Sequence, residues 1–370
     1  MMKILRAIFI SVFLLLIAAG ACSYWLYQEL RRPIAHQQAA QFIEIPRGSS
    51  PAETLERLAS VGIISRAWPL HLYLRASGAG TRLKAGEYRF SSPISPLGVA
   101  RKLEEGQQRL NRFTVIEGWT RWDVAAALAR VPEFQLASAD EALKLMNDTA
   151  SVKDIDPEAR NLEGYLYPDT YTFPPHTTAP ELVKMMVRRF RQVWDEKIAA
   201  HTPDIPGQTP RQVVTIASLI ETEAKLPEER PLISSVIHNR LKFGIPLGID
   251  STVIYAAKLA GKWKNDGKVY QSDLDRSSPY NTRKVNGLPP GPLASPGEKS
   301  LEAALTPAAT DYLYYVREPS RNDGAHNFYS NDTDFAKGVQ SLRQWERTRD
   351  ETSAGNAETG NANVGPVVQP

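Results

Sequence analysis

Cysteine is nearly absent from this sequence, and histidine is scarce. The single cysteine, Cys22, excludes an intrachain disulfide and a cysteine-based zinc site. The six histidines lack the i, i+4 spacing that would place two ligands on one metal ion. We therefore expect neither a metal nor any other cofactor.

A strong charge of one sign is also missing. The 44 basic residues nearly balance the 41 acidic ones, giving a net charge of +3, which does not indicate a nucleic-acid-binding surface. Hydrophobic residues make up 42% of the 370 residues and charged residues 23%, an ordinary globular mixture. A chain of this length usually forms two or more compact units.

One apolar segment stands out near the N-terminus. Residues 7–27 carry no charge and are long enough to cross a bilayer as a helix. Lys3 and Arg6 precede the segment and favour a cytoplasmic location for residues 1–6. We therefore expect a single-pass membrane protein with most of its chain outside the cytoplasm.

Two alternatives for this segment remain open. Ala19-Gly20-Ala21 offers small residues like those of a signal-peptide cleavage site, so the segment could be removed. Cys22 could instead carry a lipid, although Ala19 stands where lipoprotein signals usually have leucine. Arg31 and Arg32 on the far side weaken the argument for orientation.

The rest of the chain divides by composition into four segments. A polar stretch at 28–41 is typical of a short stalk, and residues 350–370, rich in Gly, Asn, Thr and Ala, predict a disordered tail. Residues 42–110 combine strand and helix patterns and predict a small α+β unit. Residues 111–349 mix helices with short strands and predict a larger α+β domain.

A predicted helix whose apolar stripe is flanked by two glutamates is the most informative part of the larger domain. Its apolar stripe consists of Val213, Ile216, Ala217, Ile220 and Ala224. At about 100° per residue, Glu221 and Glu223 fall on opposite edges of that stripe, so either carboxyl could lie in a dry setting that suits a proton donor. Periodicity does not choose between them, and it equally allows both to be surface residues that pair with Lys225 or Arg230.

Seven short sequence blocks carry a family resemblance. They are 117–120 (EGWT), 162–171 (LEGYLYPDTY), 217–223 (ASLIETE), 236–241 (VIHNRL), 250–255 (DSTVIY), 278–282 (SPYNT) and 287–297 (GLPPGPLASPG). Together they resemble the endolytic murein transglycosylase family, also called YceG-like. The resemblance implies that residues 42–110 form a LysM-like subdomain and residues 111–349 a transglycosylase catalytic domain.

The resemblance implies that Glu223 is catalytic, because the family's catalytic glutamate is the second of its Glu-x-Glu pair. The implied reaction is cleavage of the β-1,4 bond between N-acetylmuramic acid and N-acetylglucosamine without water. It leaves 1,6-anhydro ends and would terminate the elongation of nascent glycan strands. Glu221 and Asp250 are then possible supporting residues, although Glu221 could be a structural ion-pair partner and Asp250 a turn or cap residue.

Aromatic and amide side chains suit a sugar cleft, because pyranose rings stack on apolar faces while their hydroxyls need hydrogen-bond partners. Tyr255, Tyr280 and Asn281 are the candidates for binding substrate, with core packing and turn capping as the alternatives. The block at His326 departs from the family pattern, because Phe335 stands where a second histidine is common. We therefore expect His326 to be a structural residue.

The resemblance also implies partners and a location. These are peptidoglycan strands, penicillin-binding proteins and other cell-wall synthases, at the extracytoplasmic side of the bacterial cytoplasmic membrane. The rival hypothesis is a non-catalytic peptidoglycan-binding scaffold for those synthases, which a Gln or Ala at position 223 would have favoured. An aminodeoxychorismate lyase, an older label for the family, would need pyridoxal phosphate and a Schiff-base lysine that the sequence does not single out.

Overall fold

The computed structural model describes residues 2–106, 110–199, 208–321 and 323–360. The chain divides into two compact units, the first comprising Met1–Arg112 with Thr172–His176 and the second Phe113–Tyr171 with Thr177–Pro370. Helices combine with three two-stranded sheets in the described ranges, which confirms the mixed α+β class.

The N-terminal helix α1, Met2–Arg31, is long and apolar enough over Phe9–Arg31 to span a membrane. Large apolar side chains from Phe9 to Ile17 are exposed on it, and lipid would cover such a surface. The helix extends past the expected end at residue 27. Residues 28–41 also differ from the expected polar stalk, because Leu30 is buried and Ile34 pairs with Ile94 in a backbone bridge.

In the described residues up to 106, the first unit has two paired strands and three α-helices after α1. In chain order they are β1 (Ile43–Ile45), α2 (Pro51–Ser60), α3 (Ala67–Ser77), β2 (Gly86–Tyr88) and α4 (Pro96–Glu105). The strands are antiparallel, with Ile43 opposite Tyr88. Ser50 begins α2 with a capping box to Glu53, and Leu55 and Leu58 on that helix are fully buried in the core of this unit. A LysM-like identity for this unit stays a prediction.

The remaining elements follow in chain order. They are β3 (Asn111–Thr114), α5 (Arg121–Leu128), α6 (Ala139–Leu145), β4 (Thr170–Phe173), α7 (Ala179–Val193), α8 (Pro210–Glu223), α9 (Arg230–Phe243), α10 (Asp250–Leu259), α11 (Gln271–Leu274), α12 (Glu298–Leu305), β5 (Tyr314–Arg317), β6 (His326–Tyr329) and α13 (Asp332–Gly360). Because α13 continues to Gly360, residues 350–360 are helical where the composition predicts disorder. Residues 361–370 of that expected tail lie outside the described residues.

Helix α8 forms the centre of the second unit. Thr209 caps its N-terminus in a capping box with Gln212, and Pro210 occupies the first turn. Every residue from Val213 to Ile220 is buried, and α9, α10 and α12 pack around the helix. The expected apolar stripe is therefore too narrow, and Ala224 lies just past the end of the helix. Only the last turn, which carries both glutamates, leaves the core.

Candidate active site

The carboxyl group of Glu223 lies at the C-terminal end of α8 and is partly buried. The hydroxyl of Ser251, at the start of α10, donates to its Oε1 at 3.2 Å. The hydroxyl of Tyr315, in β5, donates to its Oε2 at 3.0 Å. Each carboxyl oxygen therefore has its own hydroxyl donor, and the two donors come from different elements.

Opposing influences act on the proton affinity of this carboxyl. Burial raises the pKa of Glu223 above its ordinary value, and the nearby charge of Asp250 raises it further. The hydrogen bonds from Tyr315 and Ser251, together with the charge of His326, lower the pKa but do not cancel the effect of burial. Glu223 consequently keeps its proton to a higher pH than an exposed glutamate does.

Glu221 lies only two residues earlier but has a different environment. Its side chain is 5% exposed and accepts a hydrogen bond from Arg230 Nη2 at 3.2 Å on Oε1. Its Oε2 accepts the backbone N–H of Gly297 at 2.8 Å, and Arg230 also donates to the Ser300 hydroxyl at 3.1 Å. This is the ion pair that the sequence left as one alternative for Glu221, and it ties the end of α8 to α9 and α12.

Asp250 is the first residue of α10 and directly precedes Ser251. Its carboxylate forms an exposed ion pair with Arg283 at 2.6 Å. It acts on Glu223 through its charge, which raises the pKa of that carboxyl. The structure therefore places Asp250 in the first turn of α10, near the candidate acid, whereas Ile249 holds the capping position without a side-chain bond.

Tyr255 and Tyr280 lie together, with ring centroids 4.7 Å apart. Both line a cavity of about 680 Å³, which Glu163 also lines. Tyr255 is buried and donates its hydroxyl to Glu163 Oε2 at 3.1 Å. Because Ser251 and Tyr255 are four residues apart on α10, the contacts to Glu223 and Glu163 lie on one face of that helix, about 6 Å apart along its axis.

Glu163 is a buried acid to which the sequence assigned no role of its own. Its side chain accepts the backbone N–H of Arg121 at 2.9 Å, at the start of α5. Burial raises the pKa of Glu163 to about 7, while the bond and charge of Arg121 and the Tyr255 hydroxyl act in the opposite direction. The carboxyl therefore changes its charge near neutral pH.

The environment of Asn281 is not that of a sugar-binding residue. It is fully buried, and its side-chain amide donates to the backbone carbonyls of Leu274 and Arg276 at 2.9 Å each. Its side-chain oxygen accepts the backbone N–H of Arg283 at 3.1 Å. Because these bonds occupy the amide inside the protein, the structure gives Asn281 the role of holding this loop, close to the turn-capping alternative.

The sequence did not identify the two residues that contact Glu223. Tyr315 is 92 residues away along the chain, so no local spacing relates the two, and Ser251 lay in a recognised block without an assigned role. Among the described residues, no group of three or more His, Cys, Asp or Glu side chains is arranged to hold a metal ion.

The chain is similar to known proteins over most of its length. Residues 43–341 match the model of the YceG-like family. A Bacillus subtilis protein named endolytic murein transglycosylase is 33% identical over 298 residues, which cover 74% of this chain and 78% of that protein. A Streptococcus pneumoniae protein of the same name is 29% identical, with 89% of this chain and 63% of that protein covered. A crystal structure of a YceG-like protein from Listeria monocytogenes matches with a TM-score of 0.53 at 29% identity, covering 80% of this chain and 98% of that one.

Proposed function

Because the chain belongs to the YceG-like family, we propose that it is an endolytic lytic transglycosylase, a lyase that cuts the glycan strands of bacterial peptidoglycan. Relatives from Bacillus subtilis and Streptococcus pneumoniae carry the name of that activity. The observation that carries the proposal is the Glu223 carboxyl, which is partly buried and bonded to two hydroxyls at the end of α8.

The proposed reaction uses Glu223 first as an acid and then as a base. Its proton moves to the oxygen that links C1 of N-acetylmuramic acid to C4 of N-acetylglucosamine, and the C1–O bond breaks. The carboxylate then takes the proton of the muramic 6-hydroxyl, whose oxygen bonds to C1 and closes a 1,6-anhydro ring. The proton returns to Glu223, no water is consumed, and the attacking hydroxyl is already part of the substrate.

The environment of Glu223 supports both steps. Burial favours the protonated form, which the first step needs. The hydroxyls of Ser251 and Tyr315 donate to the ionised form, which the second step needs. In this proposal Asp250 is a supporting residue that modulates the acid through its charge.

The cavity that Tyr255 and Tyr280 line is the proposed binding site for the sugar chain. Tyr280 is partly exposed and offers a ring to a pyranose, whereas Tyr255 is buried and supports it from below. Glu163 adds an acidic hydrogen-bonding group to the same cavity. Asn281 enters the proposal only as the residue that holds the neighbouring loop.

The proposal also includes a cellular location and a biological role. Helix α1 would anchor the protein in the cytoplasmic membrane with the catalytic unit on the extracytoplasmic side, where nascent strands are made. Cutting those strands would terminate their elongation. Penicillin-binding proteins and other cell-wall synthases in the same membrane are the proposed partners.

The test compares Glu223→Gln with the unchanged full-length protein and with Glu221→Gln as the matched control. Each is incubated in detergent with purified sacculi and with nascent uncrosslinked glycan. Mass spectrometry then identifies products that are lighter by one water than those of hydrolysis. We expect anhydro products from the unchanged protein and from the control, and at least a 100-fold loss in Glu223→Gln, since general acid–base catalysis contributes about 10² to 10⁴. Anhydro products released by Glu223→Gln at the normal rate would refute the assignment of Glu223, whereas the absence of anhydro products from the unchanged protein would favour the scaffold hypothesis.

A further inference from the structure

The hairpin formed by β5 and β6 has one face toward the candidate acid. Its strands are antiparallel, with Tyr315 opposite Phe328 and Arg317 opposite His326. Side chains two residues apart on a strand share a face, so Tyr315 and His326 project from the same side of the hairpin. Their rings meet edge to face, with centroids 5.3 Å apart and planes at 81°.

His326 is held by a buried carboxylate. Glu229 is 4% exposed, and its Oε1 accepts the backbone N–H of His326 at 2.6 Å. Its Oε2 lies 2.9 Å from His326 Nδ1. These two bonds fix both the backbone and the ring orientation of His326, as expected for the structural histidine that the sequence predicts. The contact of the same ring with Tyr315 goes beyond that role.

The two carboxyls lie at the two ends of one short connection. Glu223 ends α8, and Glu229 immediately precedes α9. The hairpin contacts the first through Tyr315 and the second through His326. A buried carboxylate is costly unless it is paired or hydrogen-bonded, so these bonds define how the hairpin sits on the connection.

We propose that Glu229 and His326 are positioning residues that hold the Tyr315 hydroxyl on the carboxyl of Glu223. The hairpin is then part of the acid/base unit, and His326 acts through Tyr315 without touching the substrate. This inference rests on the proposed function, because it assumes that Glu223 is the catalytic acid.

Loss of the positioning contacts should change the pKa of Glu223 in a predictable direction. Glu223 is faced by Tyr315 from β5, by His326 from β6, and by Ser251 and Asp250 from α10. Tyr315 and His326 both favour its ionised form. Removing either contact should therefore raise the pKa of Glu223 and move the pH profile of kcat to higher pH.

A double-mutant cycle on the full-length protein in detergent tests the inference. The variants are Tyr315→Phe, His326→Ala and the two together, assayed for anhydro products from nascent glycan across pH. We expect each single change to lower kcat by about 10- to 100-fold, as for a misplaced catalytic group, with little change in KM and a shifted pH profile. The double variant should have a maximal kcat no lower than that of Tyr315→Phe alone, because both changes remove the same contact, while its pH profile also includes the lost charge of His326.

Asn327→Ala is the matched control, since Asn327 pairs with Val316 on the opposite face of the hairpin. It should leave kcat and the pH profile unchanged. Glu229→Gln keeps an oxygen that can accept only one of the two His326 bonds, so it should give a smaller loss of the same kind. It also tests the inference if His326→Ala fails to fold, which the thermal unfolding midpoint reports.

Two results would overturn the inference. The first is a kcat loss in the double variant equal to the product of the losses in Tyr315→Phe and His326→Ala. The second is an unchanged pH profile of kcat in both Glu229→Gln and His326→Ala. Either result is distinguishable from failure of the proposed function. If Glu223→Gln is inactive but the effects of Tyr315→Phe and His326→Ala are independent, only the positioning role is refuted. If Glu223→Gln is fully active, the proposed role of Glu223 is refuted as well.

Discussion

Breaking the ion pair between Glu221 and Arg230 should lower the stability of the protein but leave its catalytic activity largely intact. Arg230→Met keeps an unbranched apolar stem, although a shorter one, and removes the cation that lies 3.2 Å from Glu221. Glu221 is 5% exposed and Arg230 14%, so the change leaves a carboxylate without its cation in a dry site. Removing one partner of a buried pair costs about 3 to 5 kcal/mol. We expect the low end, about 3 kcal/mol, because Glu221 keeps its bond to the backbone of Gly297.

Thermal unfolding and product release, measured on the same samples, check this prediction. In a unit of about 250 residues, 3 kcal/mol lowers Tm by roughly 6 to 12 °C. Glu221→Gln should also lower Tm, and both variants should keep anhydro-product release within about tenfold of the unchanged protein below their Tm. Combining Glu221→Gln with Arg230→Met should cost less than the sum of the two, since the pair is lost only once.

The equivalent change at the second glutamate, Glu223→Gln, should have the opposite effects on stability and activity. The pKa of Glu223 is raised by burial, so its charged form is less stable in the folded than in the unfolded chain at neutral pH. Glu223→Gln should therefore keep or increase Tm while it abolishes product release. A Glu221→Gln protein that is fully stable but inactive would refute this division of roles between the two glutamates.

Two further predictions concern the cavity and its loop. Glu163 has its pKa raised from 4.5 to about 7, so the folded state binds the extra proton in that window, and the free energy of unfolding should fall by roughly 3 kcal/mol as pH rises through it. Glu163→Gln should remove that part of the pH dependence, and urea titrations at intervals between pH 4.5 and 7.5 measure it; an unchanged slope would contradict the assignment. Asn281→Ala leaves the part-buried carbonyls of Leu274 and Arg276 without their donor and should cost about 1 kcal/mol, which is visible as a lower Tm. A loss of glycan binding at unchanged Tm would instead restore its sugar-binding role.

The sequence predicted the helix that carries the acid because its apolar residues recur at helical spacing. The capping box of Thr209 and Gln212, with Pro210 in the first turn, fixes where α8 begins. The width of the buried face was not predictable in the same way. Thr215 and Ser218 are polar residues, for which the sequence predicts exposure. Both can be buried because their hydroxyls donate to backbone carbonyls within the helix, at 2.8 and 2.7 Å.

The partners of the acid depend on tertiary structure and could not be predicted from spacing. Tyr315 reaches Glu223 only after the hairpin takes its register, and a shift by one residue would turn Tyr315 to the other face. Asn281 illustrates a different limit. An amide that binds a sugar and an amide that holds a loop are the same residue type, and only burial distinguishes the two uses.

The different surroundings of the two glutamates give a physical reason why the second, and not the first, suits the proposed reaction. A lone carboxyl that must give a proton and then take one needs both of its charge states to be accessible. Glu221 pairs with Arg230 and accepts the Gly297 amide, so both of its carboxyl oxygens are already engaged in structural contacts. Glu223 has no such cation bonded to it among the described residues; burial favours its neutral form, while two neutral hydroxyls favour its charged form. Introducing a cation beside it, as in Ser251→Lys, should therefore stabilise the carboxylate and suppress the first step, even though the general base would survive.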